Sequence, residues 1–156
     1  MNDFPKTLVI RHRRENLKKC SLRGLEARKD FSFYTYPLKS CPLLTGTYVV
    51  LSGEGVELSE KEKECGLILL DATWRYVESM EKNLPFLKNL ERRSLPSYVQ
   101  TAYPRRQNDC PYPQRGLASL EALIAAYTIL GRKREELLTH YYWAPQFLEK
   151  NPQLRD

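Results

Sequence analysis

Apolar residues in the first half of the chain fall in short runs, whereas those in the second half recur at helical spacing. The most telling run is Gly66-Leu-Ile-Leu-Leu-Asp71, four large apolar residues between a glycine and an aspartate. With no polar alternation, it reads as a strand buried on both faces in the middle of a parallel sheet. Thr7-Leu-Val-Ile-Arg-His-Arg13 predicts a first strand, and Phe31-Ser-Phe-Tyr-Thr-Tyr36, closed by Pro37, a second. Thr47-Tyr-Val-Val-Leu51 predicts a third, ended by Ser52-Gly53-Glu54-Gly55. That Gly-x-Gly has neither the third glycine nor the following helix of a dinucleotide fingerprint. Ser59 caps a short charged helix to Glu64, and a helix runs from Trp74 to Lys82. Arg92 to Val99 is either a short last strand or an extended loop, because Pro96 weakens a central-strand reading.

Past Gly116 the spacing changes. Leu117, Leu120, Ile124 and Tyr127 make one helical stripe, and Glu121 beside it lies at a site's edge or is paired inside the core. Gly131 ends that helix, and further helices are expected over Glu135–Tyr142 and Pro145–Lys150. The expected class is α/β: a parallel-sheet amino-terminal half over residues 1–98 and a mainly helical half over 99–156.

Charge and composition narrow the classes. A formal net charge of +6 points to a polyanionic partner, and 42% hydrophobic content argues against disorder. Apolar runs are too short to span a membrane, and the start of the chain lacks a secretory signal. Cys20, Cys41, Cys65 and Cys110 are widely spaced, with only His12 and His140 beside them, so no metal site is expected. Reduced thiols fit a cytoplasmic protein.

Candidate chemistry gathers at two places. In open parallel sheets ligands sit off the carboxyl ends of the strands, where Asp71, Thr73 and Trp74 stand. Either Asp71 or Thr73 caps the helix and Trp74 fills the core, or these side chains face a ligand. The basic run Arg11 to Lys19 follows the first strand and holds a Lys-Lys-Cys-Ser turn suited to an anion. Tyr103 to Arg115 packs three prolines, three arginines and two tyrosines into thirteen residues. It is a long loop, either a stiff connector or a surface for phosphates and unstacked bases.

Six segments, in order, resemble the family of small-subunit rRNA aminocarboxypropyltransferases, relatives of the SPOUT methyltransferases. Lys18-Lys-Cys-Ser-Leu-Arg-Gly-Leu25 is similar to the family's Lys-Lys-Cys-Thr-x-x-Lys-Leu, and Leu58-Ser-Glu-Lys-Glu62 to its Leu-Ser-x-x-Asp. Leu70-Asp-Ala-Thr-Trp74 is similar to its Val-Asp-Cys-Ser-Trp, and Arg93-Ser-Leu-Pro96 to its Arg-x-Leu-Pro. Leu117-Ala-Ser-Leu-Glu-Ala-Leu-Ile-Ala125 and Trp143-Ala-Pro-Gln-Phe-Leu-Glu-Lys-Asn151 complete the series, and the resemblance as a whole covers the chain from about residue 7 to residue 151.

The resemblance implies a SPOUT-like fold with a deep trefoil knot. It also implies transfer of the 3-amino-3-carboxypropyl (acp) group of S-adenosyl-L-methionine (SAM) to a uridine or pseudouridine ring nitrogen in rRNA. It assigns catalytic roles to Asp71 and Trp74: the indole walls off the SAM methyl group, and Asp71 either anchors the amino group or takes the imino proton. Ser21, Leu51, Leu70, Leu95 and Ser119 would complete the cofactor pocket. Phosphate contacts would come from Arg11, Arg13, Arg14, Lys18, Lys19, Arg23, Arg92, Arg93, Arg105, Arg106 and Arg115. A monomer with RNA as partner, no membrane and no metal is expected. Tyr103-Pro-Arg-Arg106 departs from the family's Asn-Pro-Val-Asn, which keeps a tRNA uridine (a DTW-like activity) open as target. A SPOUT-type methyltransferase and a non-catalytic ribosome-assembly module stand as the other readings.

Overall fold

The computed structural model describes residues 4–14, 21–72, 74–103 and 117–155, apart from the side chain of Trp74. The apolar run forms strand β4 (Gly66–Asp71), buried at every position, in the middle of a five-stranded sheet. Its flanking strands are β1 (Thr7–His12) and β3 (Tyr48–Glu57); β2 (Phe31–Tyr36) lies beyond β1, and β5 (Glu91–Ser94) beyond β3. β1 pairs in parallel with both β2 and β4, and β3 in parallel with β4.

β3 differs from its expected extent: it runs on through Ser52-Gly53-Glu54-Gly55 to Glu57 instead of stopping at Leu51. Gly55 takes φ +102°, and a Cβ there would stand 2.6 Å from the Arg92 carbonyl oxygen. The Ser94 hydroxyl donates to the Gly55 carbonyl at 3.1 Å. The glycine is therefore explained by the close approach of β5, a structural reason unrelated to nucleotide binding. Gly66 is equally constrained, since an added Cβ would lie 2.3 Å from the Tyr48 ring.

The even-numbered positions of the central strands, Leu8, Ile10, Tyr48, Val50, Ile68 and Leu70, point to one face. There they pack with Met80 of helix α1 (Trp74–Lys82) and with Leu84 and Leu87 around a 3₁₀ turn at Pro85–Asn89. The odd positions point to the opposite face, which puts Arg11 and Asp71 on the same side of the sheet.

The chain divides into two compact units, Met1–Val56 with Glu64–Ser94, and Glu57–Lys63 with Leu95–Asp156. In the second unit the expected helix after Ser59 is a single 3₁₀ turn, Glu60–Glu62, closed by a capping box between Ser59 and Glu62. Helix α2 (Ser119–Ile129) is almost wholly buried, and α3 (Glu135–His140) and α4 (Ala144–Lys150) follow. The α3 helix stops two residues short of Tyr142. The expected loop from Tyr103 to Arg115 lies, beyond Tyr103 itself, outside the described residues. Among those residues no helix is long and apolar enough to cross a membrane.

Candidate active site

The register of β1 against β4 sets Arg11 opposite Asp71 at the carboxyl ends of the two central strands. Arg11 Nε donates to Asp71 Oδ2 at 3.1 Å, and both side chains are nearly removed from solvent, at 11% and 4% exposed. Arg11 Nη1 reaches Glu26 Oε2 at 3.2 Å, and the guanidinium carbon sits 4.9 Å from the Phe33 ring centre. Glu26 in turn accepts the Gly24 N–H at 2.7 Å. Burial raises the Glu26 carboxyl, but backbone N–H groups at Glu26 and Gly24, with Arg11, outweigh it and hold the group below its ordinary range. Arg11 is thus the internal partner of two carboxylates, a different placement from a phosphate contact on the surface.

On the opposite face His12 stacks on Tyr76, with centroids 4.2 Å apart and planes at 15°, and meets Tyr36 at 5.4 Å. Its Nδ1 accepts the Arg14 N–H at 3.1 Å. Burial pushes the imidazole below its ordinary pKa, and the charges of Arg13 and Arg14 add to that shift. A neutral ring with Nδ1 as acceptor is the state this arrangement favours. Sequence reasoning found no role for His12 or Glu26. Strand period shows only that His12 opposes Arg11 across the sheet, and nothing local marks Glu26, which comes from an irregular segment.

The expected cofactor residues fall in both units. In the first, Leu70 and Asp71 are consecutive on β4, Leu51 lies on neighbouring β3, and Ser21 is half-buried in a turn. The ladder between β3 and β4 runs from Tyr48↔Gly66 to Val50↔Ile68 and stops, although both strands continue. Leu51 and Leu70 therefore lie beyond the last rung, where a parallel sheet opens to take a ligand. Leu95 and Ser119 belong to the second unit, both half-buried, with Ser119 the first residue of α2. Thr73 lies outside the described residues.

Glu121 resolves as a core group. Fully buried on α2, it accepts hydrogen bonds from the Thr101 hydroxyl (2.7 Å), Ala102 N–H (2.7 Å), Ala118 N–H (2.8 Å) and the Tyr141 hydroxyl (2.8 Å). One carboxylate thereby ties together the two chain ends that flank residues 104–116.

The candidate cations separate into groups. Arg92 pairs with Glu81 at 3.2 Å and Glu54 at 3.5 Å, and Arg93 with Glu91 at 2.7 Å. Arg13, Arg14 and Arg23 are exposed. Lys18, Lys19, Arg105, Arg106 and Arg115 lie outside the described residues. Among the described residues no cluster of three or more His, Cys, Asp or Glu side chains is arranged to hold a metal ion.

Residues 49–156 match the family described as "Ribosome biogenesis protein, C-terminal". The chain belongs to this family. A 16S rRNA aminocarboxypropyltransferase of Methanopyrus kandleri is 32% identical to it over 90 residues, 56% of this chain and 49% of that protein. The match thus spans about half the length of that relative. The family fold is shared with a solved structure, the SAM-dependent rRNA:acp-transferase Tsr3 from Vulcanisaeta distributa. That structure aligns at a TM-score of 0.73 and 23% identity, over 96% of this chain and 80% of the other.

Proposed function

We propose that the protein transfers the acp group of SAM to a uridine or pseudouridine ring nitrogen of small-subunit rRNA. The observation that carries this reading is the 32% identity to a 16S rRNA aminocarboxypropyltransferase, in a chain of the same ribosome-biogenesis family. The SPOUT-like trefoil knot, a monomeric state and action in the cytoplasm belong to the same proposal.

The residues of the first unit fit such a cofactor. An amino-acid ammonium needs a buried acceptor, and Asp71 is an acceptor held in place by Arg11. An adenine needs apolar walls and main-chain hydrogen-bonding groups, and Leu51 and Leu70 supply both beyond the last β3–β4 rung. Bound SAM supplies a sulfonium with three electrophilic carbons, so the transferred group is set by which carbon faces the nucleophile.

The work of the chain is therefore positional. Asp71 anchors the amino group of the transferred moiety, and Arg11 keeps Asp71 oriented. Trp74, at the head of α1, walls off the methyl carbon and meets the positive sulfonium. Ser21 holds the cofactor carboxylate. Exposed Arg13, Arg14 and Arg23, with Lys18, Lys19, Arg105, Arg106 and Arg115, engage phosphates.

The test is incubation of the protein with small-subunit rRNA and, in a parallel reaction, with tRNA, each with SAM labelled either in its carboxyl or in its methyl group. Carboxyl label entering RNA supports the reading. Methyl label in RNA means a methyltransferase, label in tRNA alone means a different substrate, and no label means a binding module.

A further inference from the structure

A groove of about 570 Å³ opens in the first unit, where β2 ends and α1 hands over to its 3₁₀ turn. Among the residues that line it are the aromatic Tyr36 and Phe86, the prolines Pro37 and Pro85, and the polar Ser40 and Asn83. Asn83 Nδ2 donates to the Ser79 carbonyl at 3.0 Å and the Ser79 hydroxyl at 3.3 Å, which orients the amide with Oδ1 as acceptor. Tyr36 links the groove to the basic end of β1. The Arg13 N–H donates to the Tyr36 carbonyl at 3.0 Å, and the Tyr36 ring lies against His12. The segments that line it, 36–44 and 82–90, carry Lys39, Lys82 and Lys88 and no acidic residue, with Lys82 also reaching Glu78 of α1 at 3.6 Å.

We propose that this groove holds one unstacked nucleobase of the RNA substrate, a subsite separate from the base that is modified. The inference rests on the reading of the protein as an rRNA-modifying enzyme and adds how it grips its strand. The combination favours a base over other occupants. Aromatic and proline faces suit a heterocycle of any sequence, while lysines on the lining segments and Arg13 and Arg14 at the adjoining strand end suit its flanking phosphates. The volume is within the range of small-ligand pockets and admits one base with its ribose. Asn83 Oδ1 faces a base edge that offers an N–H, which uracil, guanine, adenine and cytosine all carry.

Exposed Cys41 lines the same groove and serves as a built-in reporter. The full-length protein is alkylated with N-ethylmaleimide, and modification at Cys41 is followed by peptide mass mapping. Three conditions are compared: no addition, a mixed-sequence single-stranded RNA, and polyphosphate. RNA is expected to slow Cys41 alkylation and polyphosphate is not, because only RNA carries bases. Ser40→Trp, at an exposed position, fills the groove with an indole and should weaken RNA binding about tenfold without changing SAM affinity.

Unchanged alkylation with RNA bound, equal protection by polyphosphate, or unaltered RNA affinity in Ser40→Trp each overturns the proposal. So does protection that grows with protein concentration alone, which would make a second copy the occupant. Acp transfer by the same preparation is scored separately. Transfer without Cys41 protection removes the subsite and leaves the proposed activity, whereas protection by RNA without SAM binding removes the activity and leaves the groove.

Discussion

Arg11 and Asp71 are register partners on neighbouring parallel strands, joined by a 3.1 Å hydrogen bond from Nε to Oδ2 where solvent scarcely reaches either side chain. Such a pair fixes a carboxylate in one orientation at the strand ends, and removing Arg11 takes from buried Asp71 and from Glu26 the cation they share. Arg11→Met should cost about 3–5 kcal/mol by chemical denaturation. Arg11→Lys should recover only part of this, because a lysine ammonium lacks the fork that spans Asp71 and Glu26. A double-mutant cycle with Asp71→Asn should give a coupling of roughly 1–3 kcal/mol, and additive effects would deny the pairing.

If Asp71 anchors the cofactor, Asp71→Asn should weaken SAM binding at least about tenfold while leaving the fold intact at low temperature. Calorimetric titration with SAM measures this directly. A variant with normal SAM affinity and no turnover would assign Asp71 to proton transfer instead.

Glu121 gathers four donors from three parts of the second unit. Glu121→Gln replaces one acceptor oxygen with a donor amide facing other donors, and should destabilise that unit by about 2–4 kcal/mol. Hydrogen exchange should show the loss first at the Ala102 and Ala118 amides. A variant of unchanged stability would contradict the role assigned to this carboxylate.

The pH dependence follows from two groups with lowered pKa values. His12 is held below its ordinary 6.5, so the unfolded chain binds the proton more readily. Its contribution to stability is complete above 6.5 and is lost as pH falls from there through the folded-state value. Glu26, held below its ordinary 4.5, adds a second loss that begins only under that pH. His12→Phe keeps a ring on Tyr76 without a titrating proton. It should flatten the upper limb of the stability profile and spare the lower one, and an unchanged upper limb would contradict the assignment.

How much of this was legible beforehand depends on what each residue's surroundings decide. β2 and β4 were readable to their ends because continuous apolar or aromatic runs are bounded by proline, glycine or aspartate. The length of β3 was hidden, since Ser52-Gly53-Glu54-Gly55 has turn composition and only the approach of Arg92 explains the glycine. Arg11 was read with its basic neighbours because charge is visible in sequence and strand face is not. Period two puts Arg11 inward beside Asp71, while the strand's end leaves Arg13 and Arg14 outside. The pairing of Glu121 needed the tertiary return of Thr101, Ala102 and Tyr141, which no local pattern announces.

Gly55→Ala combines a left-handed φ with a Cβ placed 2.6 Å from the Arg92 carbonyl oxygen. It should cost about 2 kcal/mol or more, read by thermal denaturation. SAM affinity should be unaltered at temperatures where the variant is folded, because this glycine serves the β3–β5 approach and touches no phosphate. A selective loss of SAM binding would instead give this glycine a part in holding the cofactor.

The identity of the nucleoside released during turnover tests the central claim most directly. With small-subunit rRNA and SAM, the account predicts methylthioadenosine, formed in step with carboxyl label entering the RNA. Release of S-adenosylhomocysteine, or no release at all, would contradict it.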